Sequence, residues 1–504
     1  MIPWLAAAIG GVMLALAFPP WRLDFLLWLA FVPLLYSLEG ERDVGRASLI
    51  SGLFGATFFL IDVRWVLDTL MIHGRFSLAA SLFTYVALAA FLSVFPTLFG
   101  FVVALFVRRG ISGTVVAPLA WVSTEYLRSM VFTGFPWDLV GYAFAERLHF
   151  VQLADITGVY GISFLVVLVN GGIFELLRLC SGRKKGDGRL VVAAALMLAM
   201  TAAYGYQRLA TYSSPTPEQG FPVAVLQGNI PQDIKWEVSE RRRTFETYER
   251  LARTAVQQGA RLLVWPETSA PVLFGSLDLD WRIPTMMSAH LGVPMLVGAP
   301  SIRVIHDKTV YHNSAFLVDA TGIRYRYDKI HLVPFGEYMP LSWLLPLGPG
   351  IAAREEDYTP GETMTVMHVP GGSSFSVLIC YEAIFPDLAR TAVKTGARFL
   401  VNMTNDGWFG RSAAPEQHLA MAGIRSIENR VWMVRAANTG ISAAFDATGR
   451  RVSHIPLEQE GVFIVSVPES PSAKTFYNQY GDIFVYVCLA TLSVLLAGFR
   501  KIHP

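Results

Sequence analysis

Apolar runs that carry almost no charge fill both ends of the chain, and they constrain its fold more than any other feature. A membrane-spanning helix needs about 20 mostly apolar residues. Runs of this kind occur at residues 1–20, 25–38, 47–61, 76–107, 111–124, 158–174, 190–206 and 483–499. With 53% hydrophobic residues, the chain is also too apolar for an ordinary soluble protein. The pattern therefore predicts a polytopic α-helical membrane domain.

The basic residues predict how many spans there are and how they are oriented. Run 76–107 exceeds one hydrocarbon core, so it is either one tilted span or a hairpin broken near Pro96. If there are eight spans and the N-terminus is cytoplasmic, cytoplasmic segments carry eleven basic residues: Arg42, Arg46, Arg108, Arg109, Arg178, Arg183, Lys184, Lys185, Arg189, Arg500 and Lys501. The opposite loops carry Arg22, Arg64, Arg75, Arg128 and Arg147. The positive-inside rule therefore favours about eight spans, with both termini cytoplasmic and the first run retained as a span.

The long interval between the seventh and eighth runs has a different character. Residues 208–482 contain no spanning run, and this topology places them outside the cytoplasm. We therefore expect three regions: a membrane domain at 1–207, an extracytoplasmic domain at 208–482, and a last span with a short tail at 483–504.

Short apolar runs alternate with amphipathic patterns in the extracytoplasmic domain. The predicted helices are "ERRRTFETYERLARTAVQQ" and "APEQHLAMAGIRSIEN". The predicted strands are "PVAVLQGN", "LLVWPE", "VPMLVGAP", "SAFLVDA", "FSVLICYE", "RFLVNMTND", "VWMVRAANTG", "SAAFDATG" and "GVFIVSV". Strands rich in Val, Ile and Leu with interspersed helices indicate an α/β domain, in which helices cover the sheet layers.

The three cysteines are too few and too scattered for a disulfide framework, and none has the paired spacing of a zinc site. Cys180 and Cys488 lie in or beside apolar runs and fit a packing role. Cys380 differs, because it ends the strand pattern "FSVLI" and is followed directly by Tyr381 and Glu382. A buried inert thiol is the ordinary alternative for such a residue.

Three polar residues stand where apolar strands or loops end: Glu267 in "LLVWPETSAP", Lys329 in "YDKIHLVPFGEY" and Cys380 in "SVLICYEAIFPD". Side chains at strand ends can converge on one pocket. A thiol becomes a nucleophile through a nearby base or cation, and a lysine can hold a developing oxyanion. Taken singly, Glu267 could cap a helix and Lys329 could be a solvated charge, but together the three residues can run acyl transfer.

These strings resemble a known family. "LLVWPE", "KIHLVPFGEY" and "LICYEAIFPD" are similar to the three catalytic segments of the nitrilase superfamily. "HLVPFGEY" and the flanking apolar runs resemble its apolipoprotein N-acyltransferase branch, as do "QGNIPQDIKW" and "NMTNDGWFG". The resemblance covers the whole chain and implies an αββα sandwich for residues 208–482.

The resemblance also implies roles for particular residues. Cys380 would be the nucleophile, Glu267 the general base and Lys329 the cation that steadies the tetrahedral oxyanion. The supporting residues would be Glu337 and Glu382, which orient the lysine and shape the pocket, and Trp236 and Tyr381, which place the substrate. No cofactor and no metal are implied.

The implied reaction is ping-pong acyl transfer. Cys380 would take an acyl chain from a membrane phospholipid, and the α-amine of a diacylglyceryl-modified apolipoprotein would accept it. The implied partners are thus this donor, this acceptor and the lipid bilayer, in a bacterial inner membrane with the catalytic domain on the periplasmic side. With a net charge of +2, the chain has no overall basic character for nucleic acid.

Other functions remain open at this stage. A membrane-anchored nitrilase-type amidase would use water in place of the amine, and a non-catalytic scaffold or transporter would only bind lipoproteins. His331 and His418 are further candidates for the base, because Cys with His is a common thiol pairing.

The segment "MPLSWLLPLGPGIAAREEDYTPG", residues 339–361, is apolar but too short to span a membrane. We expect either a mobile arm that dips toward lipid through Trp343, Leu344 and Leu345, or a buried loop.

Overall fold

The computed structural model describes residues 1–74, 76–182, 186–212, 220–339, 357–469 and 474–498. The predicted arm at residues 339–361 falls almost wholly outside these ranges. The described residues form sixteen α-helices: α1 (Ile2–Leu16), α2 (Val32–Leu38), α3 (Val44–Asp62), α4 (Trp65–Ile72), α5 (Leu78–Arg108), α6 (Gly113–Met130), α7 (Leu148–Val151), α8 (Ala154–Thr157), α9 (Val159–Ser181), α10 (Gly188–Thr211), α11 (Val238–Gln257), α12 (Ile283–Leu291), α13 (Pro386–Lys394), α14 (Ala414–Asn429), α15 (Phe476–Tyr480) and α16 (Ile483–Gly498).

The strands of the described chain all lie between α10 and α15. They are β1 (Phe221–Gln227), β2 (Leu262–Val264), β3 (Met295–Ile305), β4 (Lys308–Asp319), β5 (Gly322–Asp328), β6 (Val366–His368), β7 (Ser374–Ile379), β8 (Phe399–Thr404), β9 (Trp432–Ala437), β10 (Ser442–Phe445), β11 (Arg451–Ile455) and β12 (Gly461–Val467). Contacts divide the chain into a helical unit, Met1–Met71 with Ser77–Tyr212 and Thr475–Pro504, and a two-sheet unit, Ile72–Phe76 with Ser213–Lys474.

The helical unit contains an apolar helix at each predicted run. In the described part of the chain, α3, α5, α9 and α10 are long and apolar enough to cross a membrane. Shorter apolar helices cover Ile2–Leu16, Asp24–Leu38 and Ile483–Gly498, and α6 corresponds to the remaining run. The prediction of a polytopic helical domain is therefore confirmed, with the number of spans approximate.

Run 76–107 forms one helix, α5, with Pro96 inside it, so the hairpin alternative is wrong. Small residues let α3 and α5 approach closely at this point. A Cβ on Gly55 would lie 2.6 Å from the Pro96 ring, and one on Gly100 would lie 2.4 Å from the carbonyl oxygen of Ala47. Close approach at small residues is the usual way that helices pack in lipid, where no hydrophobic drive brings them together.

The two-sheet unit is an αββα sandwich. Its described strands form two six-stranded sheets, ordered β12-β1-β2-β3-β4-β5 and β11-β10-β9-β8-β7-β6. In the first sheet β1, β2 and β3 run parallel, and in the second sheet β7, β8 and β9 run parallel. The strands that flank these parallel cores pair antiparallel.

Side-chain alternation along the strands explains the layers. Val223 and Val225 of β1 pack in the core between the sheets, together with Val377 of β7 and Val401 of β8. The intervening residues of the first sheet pack on residues of α11 and α12, and those of the second sheet pack on α13 and α14. Both faces of the central strands are thus buried, which explains why their sequences are apolar at nearly every position. The α/β sandwich predicted from the sequence is confirmed.

Candidate active site

The predicted nucleophile stands at the carboxyl end of β7, in a turn that holds it in an unusual conformation. β7 ends at Ile379, and Cys380 opens a 3₁₀ turn that reaches Ile384. Cys380 has a φ of +51°, the left-handed region that costs an L-residue about 1–2 kcal/mol. The carbonyl oxygen of Cys380 accepts hydrogen bonds from Nε2 of His418 (3.1 Å) and Nδ2 of Asn402 (3.4 Å), which hold the turn.

Lys329 lies at the centre of a buried ionic cluster. It follows β5 directly, and its side chain is only 1% exposed. Its Nζ atom lies 2.8 Å from Oε2 of Glu337 and 3.6 Å from Oε1 of Glu267. Burial lowers the pKa of Lys329, but the carboxylates of Glu337 and Glu267 more than compensate and hold it well above its ordinary value. The ammonium is therefore charged at physiological pH.

Glu267 follows β2 and is held by donors from several elements. Its Oε1 atom accepts from Nδ2 of Asn313 on β4 at 2.7 Å, and its Oε2 atom accepts from the backbone N–H of Asn405, after β8, at 2.9 Å. Asn313 also donates to Oε1 of Glu337 at 2.8 Å. Asn313 therefore ties both carboxylates of the cluster together.

Glu337 is fixed from its own loop as well as by the lysine. Its Oε2 atom accepts from the backbone N–H of Val333 at 2.8 Å. Burial raises the pKa of Glu337, but the Lys329 charge and these hydrogen bonds outweigh it, so that the net pKa is lowered. Glu337 is thus an ionised partner for the lysine.

The Cys380 thiol lies within the electrostatic influence of this cluster. Burial raises the pKa of the thiol, the Glu267 carboxylate raises it further and the Lys329 ammonium lowers it; the net value is above the ordinary one. The resting side chain is therefore a thiol, and a nearby base must remove its proton before it can attack.

Glu382 connects the nucleophile turn to the lysine segment. Its Oε2 atom accepts from the backbone N–H of Ile379 at 2.6 Å. Its Oε1 atom accepts from the Tyr327 hydroxyl and from the N–H groups of Ile330 and His331 at 2.7–3.1 Å. Ile379 precedes Cys380, and Ile330 follows Lys329. Because the Glu382 carboxylate holds both of these neighbours, it fixes the position of Cys380 relative to Lys329.

The two predicted aromatic residues differ in their surroundings. Tyr381 is buried, and its ring centroid lies 5.1 Å from that of Phe385 and 5.8 Å from that of His331. Trp236 is 45% exposed, and its ring centroid lies 5.8 Å from Nζ of Lys235. Lys235 in turn donates to Oγ1 of Thr268, the residue after Glu267, at 2.8 Å.

The two histidines considered as bases make contacts with other groups. Nε2 of His418 faces the carbonyl oxygen of Cys380, and its Nδ1 atom lies 3.1 Å from Oδ1 of Asp406 and 3.2 Å from Nη2 of Arg435. The His331 ring stacks on Phe385 at a centroid distance of 3.7 Å. His418 thus supports the backbone of Cys380.

Sequence reasoning missed several buried polar residues of this site, namely Asn313, Lys235, Thr404, Asn405, Asp406 and Arg435. Lys235 lies in "QGNIPQDIKW", and Thr404, Asn405 and Asp406 lie in "NMTNDGWFG", strings already notable for their resemblance. For Asn313 and Arg435 the only signal was a polar residue within or beside an apolar strand pattern.

The fold and this site place the chain among nitrilase-like enzymes. Residues 222–474 match the family model described as carbon-nitrogen hydrolase, and residues 10–172 match the apolipoprotein N-acyltransferase N-terminal domain. The apolipoprotein N-acyltransferase of Geobacter metallireducens is 39% identical over 505 residues, covering 99% of this chain and 95% of the relative. That of Bradyrhizobium diazoefficiens is 32% identical over 522 residues, covering 99% of this chain and 96% of the relative.

An amidase from Nesterenkonia sp. aligns with a TM-score of 0.40 at 18% identity, covering 55% of this chain and 98% of that chain. The similarity to the full-length relatives shows that this chain belongs to the apolipoprotein N-acyltransferase family. It is a membrane protein and a nitrilase-like acyltransferase.

Proposed function

We propose that this chain transfers a fatty acyl chain from a membrane phospholipid to the α-amine of the N-terminal S-diacylglyceryl-cysteine of apolipoproteins. The acyl group passes through a thioester on Cys380. The observation that carries the proposal is the buried cluster around Lys329, whose ammonium lies 3.6 Å from Glu267 and whose charge acts, with that of Glu267, on the Cys380 thiol.

In the first half-reaction Glu267 acts as the general base. Its carboxylate takes the thiol proton, and the Cys380 thiolate attacks the ester carbonyl of the phospholipid. The Lys329 ammonium stabilises the oxyanion of the tetrahedral intermediate, since a buried cation acts strongly where water is excluded. The carbon–oxygen bond then breaks, the proton on Glu267 passes to the departing alkoxide, and lysophospholipid leaves.

In the second half-reaction the acceptor amine replaces the phospholipid. Glu267 takes a proton from the α-amine as its nitrogen attacks the thioester carbonyl, and Lys329 again holds the oxyanion. The carbon–sulfur bond breaks, and the proton returns from Glu267 to the sulfur of Cys380. The products are an amide-linked acyl chain and the starting enzyme.

The supporting residues have separate tasks in this scheme. Glu337 orients the lysine through its 2.8 Å ion pair, and Glu382 holds the Cys380 turn against the lysine segment. We assign Tyr381 and the half-exposed Trp236 to substrate placement, because aromatic surfaces suit acyl chains and lipid anchors.

Both substrates are lipid anchored, which gives the membrane helices a function. A soluble enzyme would have to extract each chain from the bilayer at about 0.8 kcal/mol per buried CH₂. We infer a bacterial inner-membrane location, with residues 208–482 on the periplasmic side as a catalytic domain between the membrane segments 1–207 and 483–504. The basic residues of the short loops support this orientation.

Intact-protein mass spectrometry tests the thioester. Wild type and Cys380→Ala are incubated with phosphatidylethanolamine and no acceptor. We expect a fatty-acyl mass on wild type that hydroxylamine removes, and none on the variant. Cys180→Ala is the matched control, because this exposed cysteine lies in the helical unit.

An adduct that survives in Cys380→Ala would contradict the proposed nucleophile. If wild type has no adduct but releases lysophospholipid and free fatty acid, the enzyme is a hydrolase. If wild type has neither adduct nor released lipid, the site is not catalytic toward phospholipid.

A further inference from the structure

Thr404 lies beside the proposed nucleophile because of the register of the second sheet. β7 and β8 run parallel with Ile379 opposite Met403. Cys380, the first residue of the turn after β7, and Thr404, the last residue of β8, directly follow this pair and therefore lie near each other at the carboxyl edge of the sheet. Thr404 is fully buried, and its hydroxyl is near enough to the Cys380 side chain to lower the pKa of the thiol by hydrogen bonding.

The hydroxyl of Thr404 also contacts a carboxylate. Its Oγ1 atom donates to Oδ1 of Asp406 at 3.0 Å. A hydroxyl has one proton to donate and lone pairs with which to accept. While the proton points to Asp406, the hydroxyl cannot donate to the sulfur of Cys380, but rotation about the Cα–Cβ bond of Thr404 would allow it to do so.

Asp406 is held as an anion by other groups. Its Oδ2 atom lies 2.7 Å from Nη2 of Arg435, and both side chains are fully buried. Burial raises the pKa of Asp406, but the Arg435 charge, the contact with His418 and the hydrogen bond from Thr404 lower it to about 2. Asp406 therefore keeps a strong partner even when the Thr404 proton turns away from it.

A thiolate at Cys380 has unfavourable surroundings. Burial disfavours the charged form, and the carboxylates of Glu267 and Asp406 disfavour it further. Lys329 is one compensating cation, but it also pairs with Glu337. A second donor to the sulfur would therefore stabilise the thiolate at the moment of attack, and Thr404 lies beside Cys380.

We propose that Thr404 is a further catalytic residue, whose hydroxyl turns from Asp406 to Sγ of Cys380 as the thiolate forms. The thiol proton goes to Glu267, and the hydroxyl proton stays on Thr404 and is only redirected. The inference rests on the proposed role of Cys380 as nucleophile. Because the thiolate is the nucleophile in the first half-reaction and the leaving group in the second, the hydroxyl acts in both.

Matched variants of the full-length protein test this role. Thr404→Val removes the hydroxyl at nearly constant volume, and Thr404→Ser keeps it. The first readout is the rate of alkylation of Cys380 by iodoacetamide between pH 7 and 10, resolved from Cys180 and Cys488 by peptide mass spectrometry. The second is the single-turnover rate of thioester formation from phosphatidylethanolamine.

We expect Thr404→Val to lower both rates about 10- to 100-fold, the effect of one hydrogen bond to a charged group, and to shift the alkylation profile to higher pH. Thr404→Ser should stay within about threefold of wild type. Thr404→Ala is the second hydroxyl-free variant if thermal unfolding shows that Thr404→Val is not folded.

Wild-type rates of alkylation and acylation in a folded hydroxyl-free variant would overturn the inference. Equal losses in Thr404→Ser and Thr404→Val would also overturn it, because the hydroxyl would then not be responsible. If wild type itself forms no thioester, the proposed function fails, and the alkylation profile still decides the role of Thr404.

Discussion

Nζ of Lys329 lies 2.8 Å from Oε2 of Glu337, and their side chains are 1% and 11% exposed. This pair keeps the lysine charged and aimed at the site, so that it serves as a fixed cation. Removing the lysine would leave Glu337 and Glu267 without their shared cation, and removing Glu337 would leave the lysine paired with Glu267 alone. Substituting Lys329 and Glu337 one at a time tests the role of each partner.

Lys329→Met should slow thioester formation by about 10²–10³-fold, the usual cost of removing one oxyanion donor. The measurement is the single-turnover acylation rate with phosphatidylethanolamine. Lys308→Met replaces an exposed lysine at the start of β4 and should leave the rate unchanged. Acylation of a folded Lys329→Met variant at the wild-type rate would mean that another group holds the oxyanion.

Glu337→Gln should lower kcat about 10²-fold with little change in KM, because the lysine loses its shorter ion pair and shifts from its place. Steady-state kinetics over a range of phospholipid concentrations separates the two parameters. Glu458→Gln, in an exposed pair with Arg411, is the matched control. A rise in KM at constant kcat would instead place Glu337 in substrate binding.

The raised pKa of Glu382 leads us to expect that this residue contributes to folding stability in a pH-dependent way. Burial raises the pKa of Glu382 from 4.5 to about 7. Because the folded state binds this proton more tightly, the contribution is fully present below about pH 4.5 and is lost as the pH rises through about 7. The shift corresponds to about 3 kcal/mol of unfolding free energy.

The comparison of wild type with Glu382→Gln isolates that contribution. Gln cannot titrate, so the difference between the two unfolding temperatures should change between pH 4.5 and 7.5. Thermal unfolding at half-unit pH steps measures it. A constant difference across this range would show that Glu382 does not titrate there.

Arg435→Met should destabilise the two-sheet unit by about 3–5 kcal/mol, because it leaves the Asp406 carboxylate buried without its cation. Arg411→Met breaks an exposed pair with Glu458 and should leave the stability nearly unchanged, because solvent screens such a pair. The unfolding temperatures of both variants give the comparison. Equal effects would mean that Arg435 is replaceable by an apolar side chain.

The central elements of the fold and the edge strand β12 could be predicted from the sequence, but the edge strands β5, β6 and β11 could not. Each apolar run corresponds to a helix, and the nine predicted strand strings contain strands of the described chain. β5 and β11 were missed because they are edge strands with charged, partly exposed residues. β6 has three residues, and α12 and α13 have nine each, too few for a clear periodic pattern.

Part of the candidate site could be predicted from the sequence, chiefly its charged residues. Glu267, Lys329 and Cys380 follow strands, and the structure brings Lys329 within 3.6 Å of Glu267. Asn313 and Thr404 lie inside strands and are neutral, so nothing in their local pattern separates them from structural residues. Their role depends on strand register, which brings residues far apart in sequence side by side.

N-acylation of a synthetic lipopeptide tests the central claim most directly. The full-length protein is incubated with phosphatidylethanolamine and a peptide that begins with S-diacylglyceryl-cysteine, and lysophospholipid, free fatty acid and N-acyl peptide are quantified. We predict equal amounts of N-acyl peptide and lysophospholipid, and no peptide product when the α-amine is acetylated or when Cys380 is Ala. Lysophospholipid with matching free fatty acid and no N-acyl peptide would contradict the account, because water would then be the acceptor.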